Sequence, residues 1–98
     1  MNIEISLKEY ERELNWDDAM MYCQLLVIDG KDDWRLPTKE ELKDIYNSEN
    51  DFIDSYYWSS TELSGSYAWL QNLSSGIQNG NYAKDGSSYV RAVRTIKY

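Results

Sequence analysis

The spacing of apolar residues changes along residues 1–54, and the changes predict a strand followed by a helix. Ile3, Ile5 and Leu7 alternate with polar residues, which is the pattern of a half-buried strand. The alternation continues through Tyr10 and Leu14, so residues 3–14 are expected to form a hairpin or one long bent strand. The next apolar residues recur at spacings of three and four and form one helical stripe: Trp16, Ala19, Met20, Cys23 and Val27.

The first predicted helix has clear signals at both ends. Asn15 is a suitable N-cap, and Asp17 and Asp18 follow in the first turn, where carboxylates interact favourably with the helix dipole. The Asp29-Gly30 pair predicts the turn that ends this region. Cys23 lies within the apolar stripe, so we expect a small buried core residue rather than a reactive thiol.

A second helix is predicted from about Lys39, because Thr38 and Glu41 stand at capping-box spacing. Residues 47–51 should end it. Arg35 precedes it between two apolar residues, so its guanidinium is expected to be partly buried and tied to backbone carbonyls or a carboxylate. The apolar residues expected on the buried side of this helix are Leu42, Ile45 and Tyr46.

Residues 55–98 read as short strands joined by turns. Tyr89 to Ile96 should form the closing strand, and its irregular apolar pattern favours a strand that is covered on both faces or bulged. The other predicted strands are residues 56–61 and 67–73, and the predicted tight turns are residues 74–76, Asn79-Gly80 and residues 84–86.

Composition and charge divide the chain in the same way. The 98 residues carry a net charge of −7 and suit a single domain spanning residues 1–98. Residues 1–54 hold 15 acidic and 6 basic side chains, whereas residues 55–98 hold 2 acidic and 4 basic ones. This balance argues against generic binding to a nucleic-acid backbone, which needs clustered Lys and Arg.

The residue types exclude several kinds of chemistry. The chain has no His and a single Cys, so a Ser–His or Cys–His pair, an ordinary zinc site and an internal disulfide are ruled out. The spacing of its 17 carboxylates singles out no acid/base pair. We therefore expect a protein that is not an enzyme and that has no cofactor and no metal site.

Two sequence blocks in a fixed order carry a resemblance to a known family. The chain resembles a bacterial family of domains, mostly of unknown function, that includes the C-terminal domain of Legionella collagen-like adhesins. The resemblance spans residues 14–95. The matching segments are residues 16–19, 22–23, Asp33-Trp34-Arg35-Leu36-Pro37-Thr38, 41–42, Tyr57-Trp58-Ser59-Ser60-Thr61, 68–69, Gly76 and 89–94.

The resemblance implies an α+β, C-type-lectin-like fold, with two helices packed on twisted antiparallel sheets and the chain ends brought together. Arg-Leu-Pro-Thr followed by Glu is also similar to a stretch in the formylglycine-generating enzymes. Those enzymes depend on two cysteines late in the chain, and the single Cys23 lies near the start. The resemblance therefore does not imply their activity.

Sugar-binding relatives of this fold offer no site that transfers. Their calcium site uses a Glu-Pro-Asn or Gln-Pro-Asp triplet and a Trp-Asn-Asp triplet, whereas Pro37 is the only proline and no Trp-Asn-Asp occurs. The adhesin members bind sulfated polysaccharide, for which an acidic chain with ten basic residues is poorly suited.

The C-terminal half has the composition of a recognition surface. Ser, Asn, Gly and Tyr make up 22 of its 44 residues, a mixture that gives rigid contact area and adaptable hydrogen bonds. Trp58, Trp69 and Tyr89 are expected in the core. We expect a non-catalytic module that binds a protein partner through the loops of residues 62–88. The residues expected to be exposed there are Tyr67, Gln78, Asn79, Asn81 and Tyr82.

Other functions remain open at this point. A protein that sequesters a small anionic ligand, such as a nucleotide, would use Arg91 or Arg94. A surface adhesin module is a third function. The start of the chain has no signal sequence or membrane span, so we expect a cytoplasmic protein, in keeping with a phage or mobile-element inhibitor of a host factor. An uncharged aromatic face is also compatible with a homodimer.

Overall fold

The computed structural model describes residues 2–48 and 51–96. In these ranges the chain forms an α+β fold with two helices packed on two sheets, which confirms the predicted fold class. The elements are β1 (Ile3–Ile5), a 3-10 turn (Lys8–Tyr10), β2 (Arg12–Leu14), α1 (Trp16–Leu25), α2 (Lys39–Tyr46), β3 (Tyr56–Glu62), β4 (Tyr67–Asn72), β5 (Gln78–Ala83), β6 (Ser88–Val90) and β7 (Val93–Thr95).

The two sheets differ in size and in the strands that they contain: the small sheet pairs the first strand with the last, and the larger sheet contains the five strands between them. β1 pairs antiparallel with β7, with Ile3 opposite Thr95, so the two ends of the domain meet as expected. The larger sheet has the order β2-β6-β3-β4-β5, in which the β3–β6 pair is parallel and the other pairs are antiparallel. The prediction of one hairpin or bent strand over residues 3–14 is wrong, because β1 and β2 enter different sheets.

Helix α1 buries the part of the predicted apolar stripe that lies within the helix, but the stripe was predicted to extend beyond its end. The Asn15 side chain accepts a hydrogen bond from the Asp18 backbone N–H, as its N-cap role requires. Cys23 is fully buried, as predicted, and burial raises its thiol pKa to about 12. The prediction for Val27 is wrong. The helix ends at Leu25 and Leu26 is extended, so Val27 leaves the stripe and is 62% exposed.

Helix α2 begins with the predicted capping box. Thr38 accepts from the Glu41 N–H, and the Glu41 carboxylate accepts from the Thr38 N–H. The same carboxylate receives two hydrogen bonds from Arg35, at 2.7 and 2.9 Å, which confirms the structural role expected for this arginine. Tyr46 was predicted to be buried but is 36% exposed, with its ring over Gly76 at the end of the helix.

Two predictions for the C-terminal half are corrected. Asn79-Gly80 is not a turn but lies inside β5. Gly80 is buried there beneath the indole of Trp69, and a Cβ on it would lie 2.8 Å from Trp69 Cε2. The closing strand is split into β6 and β7, because Arg91 and Ala92 carry the chain from the larger sheet to the smaller one.

Two apolar clusters hold these layers together. The first lies between α1 and the larger sheet, and the second joins α2 to the small sheet and to β3. Trp58 is fully buried in the first cluster, as expected, whereas Trp69 and Tyr89 are only partly buried. The larger cluster contains Trp16, Ala19, Cys23, Trp34, Leu36, Trp58, Ala68, Leu70, Val90 and Ala92, and the smaller one contains Leu42, Ile45, Tyr57 and Val93.

Candidate binding surface

The predicted recognition residues lie on the hairpin of β4 and β5, at the edge of the larger sheet. β5 pairs with β4 on one side, and its other side is a sheet edge. Tyr67 is 41% exposed and Tyr82 is 39% exposed, and Asn79 and Asn81 are exposed as well. The structure therefore puts these four side chains at the surface. Asn79, Asn81 and Tyr82 lie on β5, the edge strand of the sheet within residues 2–48 and 51–96, and Tyr67 lies on the adjacent β4.

The backbone of this edge is partly blocked by the chain itself. The Asn79 carboxamide oxygen accepts a hydrogen bond of 2.7 Å from the backbone N–H of Asn81. Exposed edges of β-sheets invite pairing with a strand from another chain, and proteins protect them by such devices. Because Asn81 has already used its N–H, this edge favours recognition through side chains over addition of a partner strand.

The exposed residues do not form one face. Residues paired across two strands project from the same face of a sheet. Tyr82 is paired with Ala68, which is buried in the cluster beneath α1, and its ring meets the Trp58 ring edge-on at 5.5 Å. Gln78 is paired with Gln71 on the face covered by α2. The predicted binding surface of residues 62–88 is therefore divided between the two faces of the hairpin.

Gln78 differs from the expectation of an exposed side chain. It is only partly exposed, and its Nε2 donates to the backbone oxygen of Lys39 at 2.7 Å and to Gln71 Oε1 at 2.9 Å. These hydrogen bonds join the hairpin to the first turn of α2. Gln78 is thus a structural link whose remaining carbonyl oxygen lines a surface depression.

A polar depression next to Tyr67 joins the two halves of the sequence. It has a volume of about 440 Å³ and is lined by the start of α1 and by the segments just before β4 and just after β5, which meet at the open end of the hairpin. The Trp16 backbone N–H donates to the Lys84 oxygen at 2.9 Å, which brings these segments together. We call this site the acidic notch. Its charged and aromatic lining residues are Asp17, Asp18, Tyr67, Lys84 and Asp85.

The charge of the acidic notch is negative because three aspartates and one lysine line it, and the lysine is already paired. Lys84 Nζ lies 2.6 Å from a carboxylate oxygen of Glu62 and 4.3 Å from the centre of the Trp16 ring. Asp17 and Asp85 have no ion-pair partner among residues 2–48 and 51–96. Sequence reasoning assigned these aspartates to a helix start and a turn. It had no signal that folding brings them together.

The two arginines expected to hold an anionic ligand are engaged within the protein. Arg91 is 3% exposed, and its guanidinium donates to the Ser6 backbone oxygen at 2.7 Å, to Glu11 at 3.3 Å and to Asp51 at 2.7 Å. The hydrogen bond from Arg91 lowers the pKa of Asp51. The Tyr57 hydroxyl also donates to Glu11, at 2.6 Å, and burial raises the pKa of that hydroxyl. Arg91 therefore does not point into a ligand pocket.

Arg94 is engaged in the same way on β7. Its Nε and Nη2 donate to the two oxygens of Asp33, at 2.6 and 3.2 Å, and its Nη1 donates to Glu4 at 3.0 Å. The hydrogen bond from Arg94 lowers the pKa of Glu4. We call Arg35, Arg91 and Arg94, with their carboxylates, the arginine seam. This seam lies where the two chain ends meet, and its geometry does not fit the expected anion site.

Two further findings bear on the class of protein. Within the ranges that the structure describes, no group of three or more Cys, Asp or Glu side chains has the arrangement of a metal site. Neither helix in those ranges has the length and apolar character needed to cross a membrane. The fold and the hairpin surface thus define a small α+β domain with an exposed polar and aromatic edge.

This domain has a family. The chain belongs to the Lcl C-terminal domain family, which matches residues 4–94. This is the family that the Trp-Arg-Leu-Pro-Thr and Trp-Ser-Ser-Thr blocks indicated. The match takes in both helices and the five strands from β2 to β6, with parts of β1 and β7. Comparison with curated proteins gave no match. Membership of the family suggests an adhesin-type module as the broad functional class.

Proposed function

We propose that this domain is a non-catalytic recognition module whose partner is a protein that places a basic side chain in the acidic notch. The observation that carries the proposal is the position of an exposed tyrosine, Tyr67, beside a depression of about 440 Å³ lined by Asp17, Asp18 and Asp85. Tyrosine offers large contact area at low entropic cost. A net charge of −7 further favours a basic partner.

The chemistry of the notch suits arginine better than lysine. A guanidinium is planar, donates in a fixed fork to carboxylates and stacks on aromatic rings. Tyr67 supplies such a ring, and the carboxylates of Asp17 and Asp85 are free to accept within the described part of the chain. Lys84 adds little repulsion, since Glu62 neutralises it.

The experiment is a titration of ¹⁵N-labelled protein with a capped Gly-Arg-Gly peptide, followed by NMR. We expect saturable shifts at Asp17, Gly65, Tyr67 and Asp85 that weaken as salt is added. The matched probe is the same peptide with citrulline, which has the shape of arginine without its charge. Equal binding of the two peptides would refute the proposal.

Variants then localise the interaction. Asp17→Asn and Asp85→Asn are each expected to weaken arginine-peptide binding roughly threefold, because each removes one partly exposed charge. Tyr67→Ala should weaken it by a similar factor or more. The control is Glu40→Gln, an exposed carboxylate on α2 outside the notch, which should leave binding unchanged.

An adhesin-type surface module is the second candidate function, and family membership favours it. This role is compatible with protein recognition, and it adds to the first proposal that the domain acts at a cell surface. Display of the domain on a non-adherent bacterium tests it. Attachment to host cells should rise with the domain and fall with its Tyr67→Ala variant. If the Tyr67→Ala variant supports the same attachment, adhesion does not depend on the acidic notch.

The remaining expectations stay predictions. Sequestration of an anionic ligand by Arg91 or Arg94 is not favoured, because both guanidinium groups already donate to carboxylates. A cytoplasmic location, a role as a phage or mobile-element inhibitor and a homodimer were inferred from sequence features alone. The C-type-lectin-like assignment, likewise, goes beyond the α+β class described above.

A further inference from the structure

A second depression lies at the other end of the hairpin, beside the turn that joins β4 to β5 and against the end of α2. It has a volume of about 340 Å³, at the small end of the range for ligand sites. We call it the amide notch, because three carboxamides lie in its lining, those of Asn47, Gln71 and Gln78. The residues that matter for the argument are Lys43, Tyr46, Gln71, Gly76 and Gln78.

The orientation of both glutamine carboxamides follows from one backbone carbonyl. The Lys39 oxygen can only accept, so the group of Gln78 that lies 2.7 Å from it must be the NH₂. The same NH₂ lies 2.9 Å from the Gln71 side chain, which must therefore present its oxygen. This assignment removes the usual ambiguity between the two ends of an amide.

The consequence is an unpaired donor in a buried side chain. Gln71 is 1% exposed, and its Nε2 donates to none of residues 2–48 and 51–96. Buried polar groups in proteins are nearly always hydrogen-bonded. Ser6 Oγ is the side-chain atom that is fully buried without a partner in the described part of the chain, so the unpaired Gln71 Nε2 is not fully buried. Since Gln71 lines the amide notch, this NH₂ is the donor that the notch offers to a bound group.

The acceptor beside it comes from Gln78. Both hydrogen bonds of Gln78 use its nitrogen, so its Oε1 accepts from no residue in the described part of the chain. The two glutamines thus form an open pair with a free NH₂ at one end and a free carbonyl at the other. A group that completes this pair must both accept and donate.

The surroundings restrict the class of ligand further. An anion would meet the Gln78 carbonyl and a protein of net charge −7, which oppose the attraction of Lys43, and a cation would be repelled by Lys43 itself. Tyr46 forms an aromatic wall, and its ring packs so closely on Gly76 that a Cβ there would lie 2.6 Å from Cε2. A neutral planar group on an apolar stem fits these conditions.

We propose that the amide notch binds the side-chain carboxamide of a glutamine or asparagine from a polypeptide partner. The carboxamide oxygen accepts from Gln71 Nε2, its NH₂ donates to Gln78 Oε1, and its methylene groups lie against Tyr46. The proposal deepens the protein-recognition function and rests on it for the identity of the partner. The amide notch is nevertheless separate from the acidic notch.

The test is an NMR titration with capped single amino acids, read at the side-chain NH₂ signals of Gln71 and the backbone signal of Gly76. Capped glutamine should give saturable shifts there. Capped glutamate and capped methionine match its shape but lack the donor–acceptor pair, so each should bind roughly five- to tenfold more weakly. Equal responses to all three probes, as from exchange of bound water alone, would overturn the proposal.

Variants make the assignment specific. Gln71→Met keeps the volume of the side chain and should abolish the response to capped glutamine. If that variant does not fold, Tyr46→Ala at the partly exposed wall should weaken binding by a similar factor to the mismatched probes. Glu13→Gln, at an exposed position on β2 outside the amide notch, is the matched control and should bind normally.

Two outcomes distinguish this proposal from the preceding one. The Asp17→Asn variant should respond to capped glutamine like the unmodified protein, even if no arginine peptide binds. Preference of the notch for methyl glucoside over capped glutamine would show a site for hydroxyl groups, and the proposal would be wrong.

Discussion

The arginine seam and the β4–β5 hairpin treat polar groups in opposite ways. In the seam, Arg35, Arg91 and Arg94 each donate to a carboxylate at 2.6–3.3 Å. On the hairpin, the Gln71 NH₂ has no partner among the described residues, and the carboxylate of Asp17 has no ion pair there.

This difference shows which region keeps hydrogen-bond donors and acceptors for a partner. A buried charge must be paired within the fold. The hydrogen bonds of the arginine seam are therefore made between groups of the protein itself, and they join the two chain ends. Polar groups that line a surface depression, such as the Gln71 NH₂ and the Asp17 carboxylate, can bind water there and need no partner within the fold. The hairpin can therefore keep donors and acceptors for a partner, although its residues carry less charge than those of the seam.

The largest expected effect comes from breaking the seam at Arg91. Arg91→Ala leaves the Glu11 carboxylate, which is 10% exposed, and the Ser6 carbonyl without this partner. We expect a loss of about 3–5 kcal/mol of unfolding free energy, measured by urea denaturation. Arg12→Ala, at an exposed arginine, should cost less than about 1 kcal/mol.

If Arg91→Ala does not fold, Arg91→Lys retains the positive charge and should show an intermediate loss. Equal stability of the Arg91→Ala and Arg12→Ala proteins would mean that the seam does not contribute more than surface pairs do.

A smaller effect is expected from the packing of the hairpin. Gly80→Ala introduces a Cβ that lies 2.8–3.0 Å from three atoms of the Trp69 ring, which also carries Lys39 Nζ 3.9 Å above it. Overpacking of this kind costs about 1–3 kcal/mol. Gly65→Ala is the matched control, because nothing lies within 4 Å of its new Cβ.

Thermal unfolding of the two alanine variants compares them directly. The Gly65→Ala protein should keep its stability within about 0.5 kcal/mol. A Gly80→Ala protein as stable as Gly65→Ala would show that the Trp69 ring moves without penalty and that the close packing of Gly80 against it does not stabilise the protein.

The smallest effect is the pH dependence contributed by Glu41. The hydrogen bonds from Arg35 are the main cause that lowers its pKa below the ordinary 4.5. A lowered folded-state pKa contributes stability that is present above pH 4.5 and lost as the pH falls through the folded value. Glu41→Gln should therefore cost about 1 kcal/mol at pH 7, and progressively less below pH 4.5.

Urea denaturation at a series of pH values between neutral and acid measures this difference. Glu40→Gln is the control, since Glu40 is exposed and lies next to Glu41. If the difference between Glu41→Gln and the unmodified protein stays constant down to acid pH, Glu41 does not stabilise the fold through its charge.

Much of the fold was predictable from local sequence. The N-cap at Asn15, the capping box of Thr38 and Glu41 and the buried position of Cys23 depend on neighbours within a few residues. The errors lie where distant segments decide the outcome. Asn79-Gly80 has the local signal of a turn, but packing of Gly80 under Trp69 places it in a strand.

The candidate site was predicted in the same uneven way. Exposure of Tyr67, Tyr82, Asn79 and Asn81 was predicted from composition and from their place in the expected loops and hairpins of residues 62–88, and it is confirmed. Gln78 was expected on the surface for the same reason, yet α2 lies close enough for its carboxamide to reach the Lys39 carbonyl.

The sequence by itself determined the α+β class, the family, both helix starts and the acidic balance of charge, because short-range patterns and caps encode these. The tertiary structure alone decided which polar groups form hydrogen bonds within the protein and which remain available to a partner. That outcome depends on contacts between residues far apart in the chain, such as Arg91 with Ser6 and Gln78 with Lys39. Hydrogen bonding is short-ranged, so neither composition nor spacing contains it.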